Sequence, residues 1–239
     1  MRDYLLDLVD HTYSLGSIDT IKIVGDDDIT KIQTVASDKS VILYGHFITP
    51  SPDFKGIFGM PNLGKLKSIL NLDEYAENAK ITLKRKEDTS PEGVSFVNAS
   101  GDFKNEYRFM SQSAVDGALK VPDFNGAKWS IEFTPTVTSI QRLRLQSQVA
   151  MTELFRITTV DGNLVCMFGD QSSHAGNFVF EQNVGGQLTK TWGFPSKVVL
   201  TILGLSGDKT IHISNDGLIQ ITVNSGLAIY NYMIPARSK

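Results

Sequence analysis

The chain has 239 residues, enough for one large domain or two of about 120. With 41% apolar and 21% charged residues it can bury a real core, which excludes a disordered or collagen-like chain. A formal charge of −3 argues against a protein that binds nucleic acid or membrane with its whole surface, while leaving room for a basic patch on an acidic body.

The single cysteine, Cys166, excludes an intramolecular disulfide framework and fits a reducing compartment. The opening Met1-Arg2-Asp3-Tyr4-Leu5-Leu6-Asp7 carries acids where a secretory signal needs a basic region and an apolar core. No stretch approaches the ~18 uninterrupted apolar residues of a membrane span. A soluble, cytoplasmic protein without membrane contact is expected, in the host cytoplasm if the protein is viral.

In chain order, residues 2 to 14 read as a helix: Leu5, Leu8, Val9 and Thr12 share one face, Asp3, Asp7 and Asp10 form a second stripe, and Gly16 is the stop. The period then falls to two through Ile21 and Ile23, Ile32, Thr34 and Ala36, Val41 to Tyr44, and Phe54 to Phe58, which predicts short strands. Pro61 to Leu70 places Leu63, Leu66 and Leu70 at helical intervals and reads as a short helix with proline near its first turn. Strands follow around 80 to 86, 93 to 98 and 104 to 111.

Residues 113 to 128 have two glycines, a proline and no sustained period, and read as a connector between domains 1–112 and 129–239. Beyond it come a strand at 129 to 134, a helix from Ser139 to Met151, and two runs flanking the hairpin signal Asp161-Gly162-Asn163. A strand over 177 to 181, a proline-started helix over 195 to 205, and strands near 209 to 214, 218 to 224 and 227 to 234 complete the order.

The two halves match each other. Phe58-Gly59-Met60-Pro61-Asn62 and Trp192-Gly193-Phe194-Pro195-Ser196 share the pattern aromatic, Gly, apolar, Pro, small polar, each before a helical segment. They stand 134 residues apart, and the same shift carries Leu5 onto Ser139 and Ile21 onto Phe155. Each half then holds two helices and about eight short strands, too many strands for a doubly wound domain. The predicted fold is an α+β domain, doubled, with helices on an antiparallel sheet.

Catalytic and metal motifs are missing from the sequence. Asp26-Asp27-Asp28 lacks the alternating ligands of a calcium loop, and His11, His46, His174 and His212 show no paired spacing. Gly204-Leu205-Ser206-Gly207 is no nucleophile elbow, and Gly185 to Thr191 lacks the glycine that must precede a phosphate-loop lysine. The cluster Lys80, Lys84, Arg85 and Lys86 reads as a solvated strand edge. No cofactor, no metal and no enzymatic activity are expected.

On length, duplicated order, the segments 57 to 72 and 192 to 205, and the terminal run Tyr230-Asn231-Tyr232-Met233-Ile234-Pro235-Ala236, the chain resembles the ring-shaped sliding clamps of DNA polymerases, in particular the T4-like phage clamps. That resemblance implies a homotrimeric ring around duplex DNA, with helices lining the hole and strands forming the outside. The protein would act in DNA replication as a processivity factor for a DNA polymerase, served by a clamp loader.

The resemblance further implies DNA-facing cations, with Arg2, Lys65, Lys67, Arg142, Arg144, Lys190 and Lys197 as candidates. Arg144 falls nearer the packed side of its helix than Arg142, and the acids of the first helix depart from the pattern. Subunits would join through the strand at 104 to 111 and a neighbour's strand near 176 to 182, sealed by Tyr107, Phe109, Phe178 and Phe180. Partner peptides would enter an apolar pocket formed by Leu119, Val121, Pro122, Phe124, Ile234 and Pro235. Two other readings stay open: a viral tail or baseplate protein that forms a structural ring, and an enzyme with a site of scattered carboxylates.

Overall fold

Short alternating runs become antiparallel ladders in the computed structural model, which describes residues 1–169 and 175–237. The chain divides into two units, Met1–Pro122 with Ser225–Tyr230, and Asp123–Asn224 with Asn231–Lys239.

In the first unit, helix α1 (Arg2–Thr12) runs into a 3-10 turn that stops at Gly16, whose φ of 76° only glycine adopts cheaply. Strands β1 (Thr20–Gly25), β2 (Thr30–Val35), β3 (Ile42–Phe47) and β4 (Gly56–Pro61) follow, in the spatial order β4-β1-β2-β3. Helix α2 (Leu63–Leu70) comes next, then a three-stranded sheet β5-β6-β7 of Lys80–Arg85, Pro91–Val97 and Lys104–Arg108. Gly59 and Met110 exchange backbone hydrogen bonds of 3.1 and 2.8 Å, which ties β4 to the segment after β7. Leu5, Leu8 and Val9 of α1 and Leu63, Leu66 and Leu70 of α2 are buried with Ile21, Ile23, Ile32 and Phe58, so the helices cover the apolar face of the strands.

Part of the stretch expected to be a loop is helix α3 (Gln112–Ala118). Ser111 caps it by accepting from the Ala114 amide, and Val115 is its one buried side chain.

The second unit repeats the plan with β8 (Trp129–Phe133), α4 (Val137–Ala150), β9 (Leu154–Val160), β10 (Asn163–Phe168), β11 (Gly176–Glu181), β12 (Trp192–Pro195), α5 (Ser196–Leu203), β13 (Asp208–Ser214) and β14 (Leu218–Asn224). The last strand, β15 (Ala228–Pro235), gives its first three residues to the first unit and the rest to the second. Asp161 and Gly162 both have positive φ, the two-residue loop their sequence signals between β9 and β10.

The duplication survives at the level of register. Ile21 faces Met60 across β1 and β4, and Phe155 faces Phe194 across β9 and β12, each pair 134 residues on from its counterpart. Ile23 opposite Ile32 likewise becomes Ile157 opposite Cys166. Pro61 and Pro195 end strands rather than open helix turns; Asn62, at a φ of 52°, and Pro195 itself are the residues from which α2 and α5 start.

Candidate nucleic-acid interface and partner groove

The acidic stripe of α1 splits in two. Asp3 and Asp10 are exposed, while Asp7 turns inward and accepts hydrogen bonds from Tyr230 Oη (2.7 Å) and Ser225 Oγ (3.0 Å), with His11 Nδ1 at 3.2 Å. Burial pushes the Asp7 pKa up, but His11, Tyr230 and Ser225 together outweigh it and hold the carboxyl below its ordinary value. Arg2 donates to the Leu70 carbonyl at 3.1 Å and so satisfies the end of α2, which gives its charge a structural partner.

On α2, Lys65 is exposed, and the Lys67 ammonium lies 5.9 Å from the centre of the Tyr13 ring. On α4, Leu143 is buried while Arg142 and Arg144 are both exposed. The two arginines occupy opposite flanks. Arg142 shares its flank with Gln146, whose amide abuts Gly176 of β11, and Arg144 reaches toward Gly204 at the end of α5.

Lys197 is exposed in the first turn of α5, where a cation opposes the helix dipole. Helix stability therefore does not account for it. Lys190 sits with its ammonium 5.8 Å from the Trp192 ring. By contrast the cluster near residue 85 is tied internally: Lys84 pairs with Glu106, and Arg85 donates to the carbonyls of Asp53, Lys55 and Thr89.

Strands β7 and β11 are the end strands of their sheets, as the resemblance to sliding clamps implies. Their aromatic rings, however, point into their own units. Tyr107 is buried and donates to the Pro61 carbonyl, and burial drives its phenol pKa upward. Phe109 is half-buried and stacks on Phe58 at 4.4 Å; Phe180 is buried 5.8 Å from Phe133; Phe178 is half-buried beside Phe168. Tyr107 and Phe180 are core residues of their own units and Phe109 and Phe178 are partly covered beside the same cores, because period-two alternation sends the apolar parity of each strand under its helices. What the free edges expose is backbone, with Lys104, Glu106 and Arg108 on β7 and Asn177 and Val179 on β11.

The first unit carries a groove of about 720 Å³ whose apolar walls are Tyr13, Ile18, Val35, Ile42, Leu119 and Pro122. Leu119 and Pro122 were among the pocket residues read from the sequence; Val121 is half-buried and does not line it. Phe124 is an exposed residue of the second unit, Pro235 is exposed there, and Ile234 is wholly buried in that unit's core, so Ile234 is no pocket wall. Sequence reading missed the polar ties that shape the groove. Tyr44 Oη donates to the Pro122 carbonyl at 2.5 Å, and Lys22 pairs with Asp116 of α3 at 2.5 Å, which fixes the start of the connector.

Among the described residues no three His, Cys, Asp or Glu side chains gather as metal ligands. Asp26 accepts the amides of Asp28 and Ile29, a polar turn. His11 is buried against Tyr230, His46 is half-buried, His212 lies 3.4 Å from Glu132, and His174 lies outside the described residues. Cys166 is buried, and burial pushes its thiol pKa up. No described helix is long and apolar enough to cross a membrane.

No protein-family model and no curated protein matches the sequence. Solved structures do match the fold. PCNA of A. fulgidus, solved with the C-terminal region of FEN-1 bound, superposes with a TM-score of 0.73 at 10% identity, covering 100% of this chain and 97% of that one. PCNA of Thermococcus kodakaraensis gives 0.69 at 10% identity, with 99% and 97% covered, and Proliferating Cellular Nuclear Antigen of Entamoeba histolytica gives 0.69 at 11%, with 97% and 94% covered. Agreement over nearly the full length of both chains at such low identity establishes a shared architecture: the chain has the PCNA-like clamp fold, α+β and built from antiparallel sheets.

Proposed function

We propose that the chain is a DNA sliding clamp, a non-enzymatic ring that encircles duplex DNA and tethers a DNA polymerase during replication. The observation that carries this reading is the pair of units with superposable strand registers, matched end to end by PCNA chains. Three copies of two units would close a six-unit homotrimer through β7 of one chain and β11 of the next. Both are free sheet edges, which need a partner strand to satisfy their backbone groups.

A closed ring holds DNA by topology, so it needs weak, sequence-independent attraction and no base contacts. Exposed Lys65, Arg144, Lys190 and Lys197, with Lys67, supply that attraction on an acidic body whose remaining surface repels phosphate. The groove under Leu119 and Pro122 supports docking of polymerase and clamp-loader peptide tails, in keeping with a neighbour solved with the C-terminal region of FEN-1 bound. The resemblance to T4-like clamps supports service to a phage polymerase in the host cytoplasm.

The test needs no loader, because a ring can thread over a free DNA end. Protein mixed with open-ended linear duplex, whose ends are then blocked with streptavidin, is expected to stay on the DNA through gel filtration in high salt. Protein mixed with covalently closed circles or with DNA blocked beforehand is expected to wash off. Equal retention on all three substrates, or on none, overturns the proposal.

A further inference from the structure

A second cleft in the first unit departs from the acidic character of the chain. It holds about 640 Å³ between the start of β4, the hairpin that joins β5 to β6, and the start of α3. Ile57 and Phe109 supply apolar wall, and the rim carries four cations, Lys55, Arg85, Lys86 and Arg108, against two acids, Asp88 and Glu92. It shares no residue with the groove under Leu119 and Pro122.

Both acids already have partners. Asp88 accepts from the Ser90 amide at 2.9 Å and from its hydroxyl at 2.6 Å, and Glu92 pairs with Arg108. Lys55 pairs with Asp27, at 2.7 Å. Among the described residues neither Arg85 nor Lys86 forms an ion pair, so two adjacent cations are left at the rim.

Arg85 is fixed there by backbone. A bulge between Lys84 and Arg85 shifts the register of β5 on β6, and the guanidinium donates to the carbonyls of Asp53 at 3.1 Å, Lys55 at 3.0 Å and Thr89 at 2.8 Å. These bonds hold the fork still and leave its charge without an anion, which is the preorganised state that a carboxylate ligand needs. Two cations at one point make no track for a phosphate backbone, and the apolar wall beside them suits a side chain.

Helix α3 stands between the two concavities. Ser111 and Gln112 at its start line the cleft, and Ala118 and Leu119 at its end line the groove. Seven helical residues span about 10 Å, which three or so extended residues of another chain would bridge.

We propose that the cleft is a second docking site, which takes an acidic segment of a partner protein with its carboxylates on Arg85 and Lys86 and an apolar side chain over Ile57 and Phe109. On a chain of net charge −3, the uncompensated pair is where such a segment is attracted. A partner whose tail fills the groove meets the cleft as an intramolecular contact, and its affinity rises with no change in the groove. The cleft lies wholly within the first unit and needs neither an occupied groove nor a closed ring.

Fluorescence anisotropy at low salt tests the site, with a labelled dodecapeptide of ten glutamates around two central phenylalanines as the probe. Wild type is expected to bind it, and Lys86→Glu, which alters an exposed side chain, is expected to weaken binding roughly tenfold. Lys80→Glu makes the same change of charge at the other end of β5, and Leu119→Ser alters the groove; both should leave the affinity within about twofold. No binding to wild type overturns the site, as does a loss no larger in Lys86→Glu than in Lys80→Glu, which would mean general attraction to the chain. A loss in Leu119→Ser but not in Lys86→Glu would put the peptide in the groove and also overturns it. So does a single-stranded dodecanucleotide whose binding falls in Lys86→Glu while that of the peptide does not.

Discussion

Replacing Asp7 with alanine is expected to lower the unfolding free energy by about 3 kcal/mol, measured by urea denaturation. The carboxylate is only 10% exposed and accepts from Tyr230 and Ser225 while standing beside a buried His11. Truncation removes the acceptor of both hydroxyls at once. Asp7→Asn keeps the shape and one acceptor oxygen and should cost about half as much. Because Ser225 to Tyr230 reach the first unit from far along the chain, amide exchange at Leu227 to Tyr230 should rise in the same variants.

The pH dependence follows from the sign of the shift. The folded pKa of Asp7 lies below its ordinary value of 3.8, so its contribution is fully present above that value and is lost as pH falls through the lowered one. The stability gap between wild type and Asp7→Asn should narrow as pH falls below about 4 and the carboxylate takes up its proton. A gap that stays constant through that range would assign the effect to another group.

Asp7 also shows where sequence reading stops. Asp3, Asp7 and Asp10 form one stripe on a helical wheel, and nothing local tells them apart. The distinction comes from Ser225 and Tyr230, more than two hundred residues away. The repeat, in contrast, was legible because its signal is local and doubled: a glycine-proline string before each helix and a constant spacing that the strand registers reproduce residue for residue. The edge positions of β7 and β11 came from the resemblance to sliding clamps and from no local signal, since the 134-residue shift carries β11 onto β3 and not onto β7.

The side chains on those edges were harder to assign. Period two says that Tyr107 and Phe109 share one face and that Phe178 and Phe180 share one face, but not whether that face meets a partner or the unit's own helices. Helix α3 was hidden by Gly117 and the lack of a period, although Ser111 offered a cap. Arg142 and Arg144 could be placed on opposite flanks by spacing alone; which flank borders a sheet edge required the contact between Gln146 and Gly176.

Gly93→Val is expected to be as damaging as any single change in the first unit. Gly93 lies in β6, the middle strand of its sheet, opposite Arg108 of β7. A Cβ there would stand 2.3 Å from the Tyr107 carbonyl oxygen and 3.2 Å from the Arg108 Cα, both backbone atoms that no rotamer change can clear. Strand β7 cannot retreat freely either, because Tyr107 is buried and bonded to the Pro61 carbonyl. Overpacking of this kind should cost about 3 kcal/mol in urea unfolding, while Ser95→Ala two residues along should stay within about 0.5 kcal/mol. If the variant still folds, the added side chain must bow β7 outward, and the edge proposed to receive β11 of a neighbour loses its straight line of backbone groups. Its trimer should then fall apart at concentrations where wild type is intact; a Gly93→Val protein that is destabilised yet assembles normally would mean that copies join through some edge other than β7.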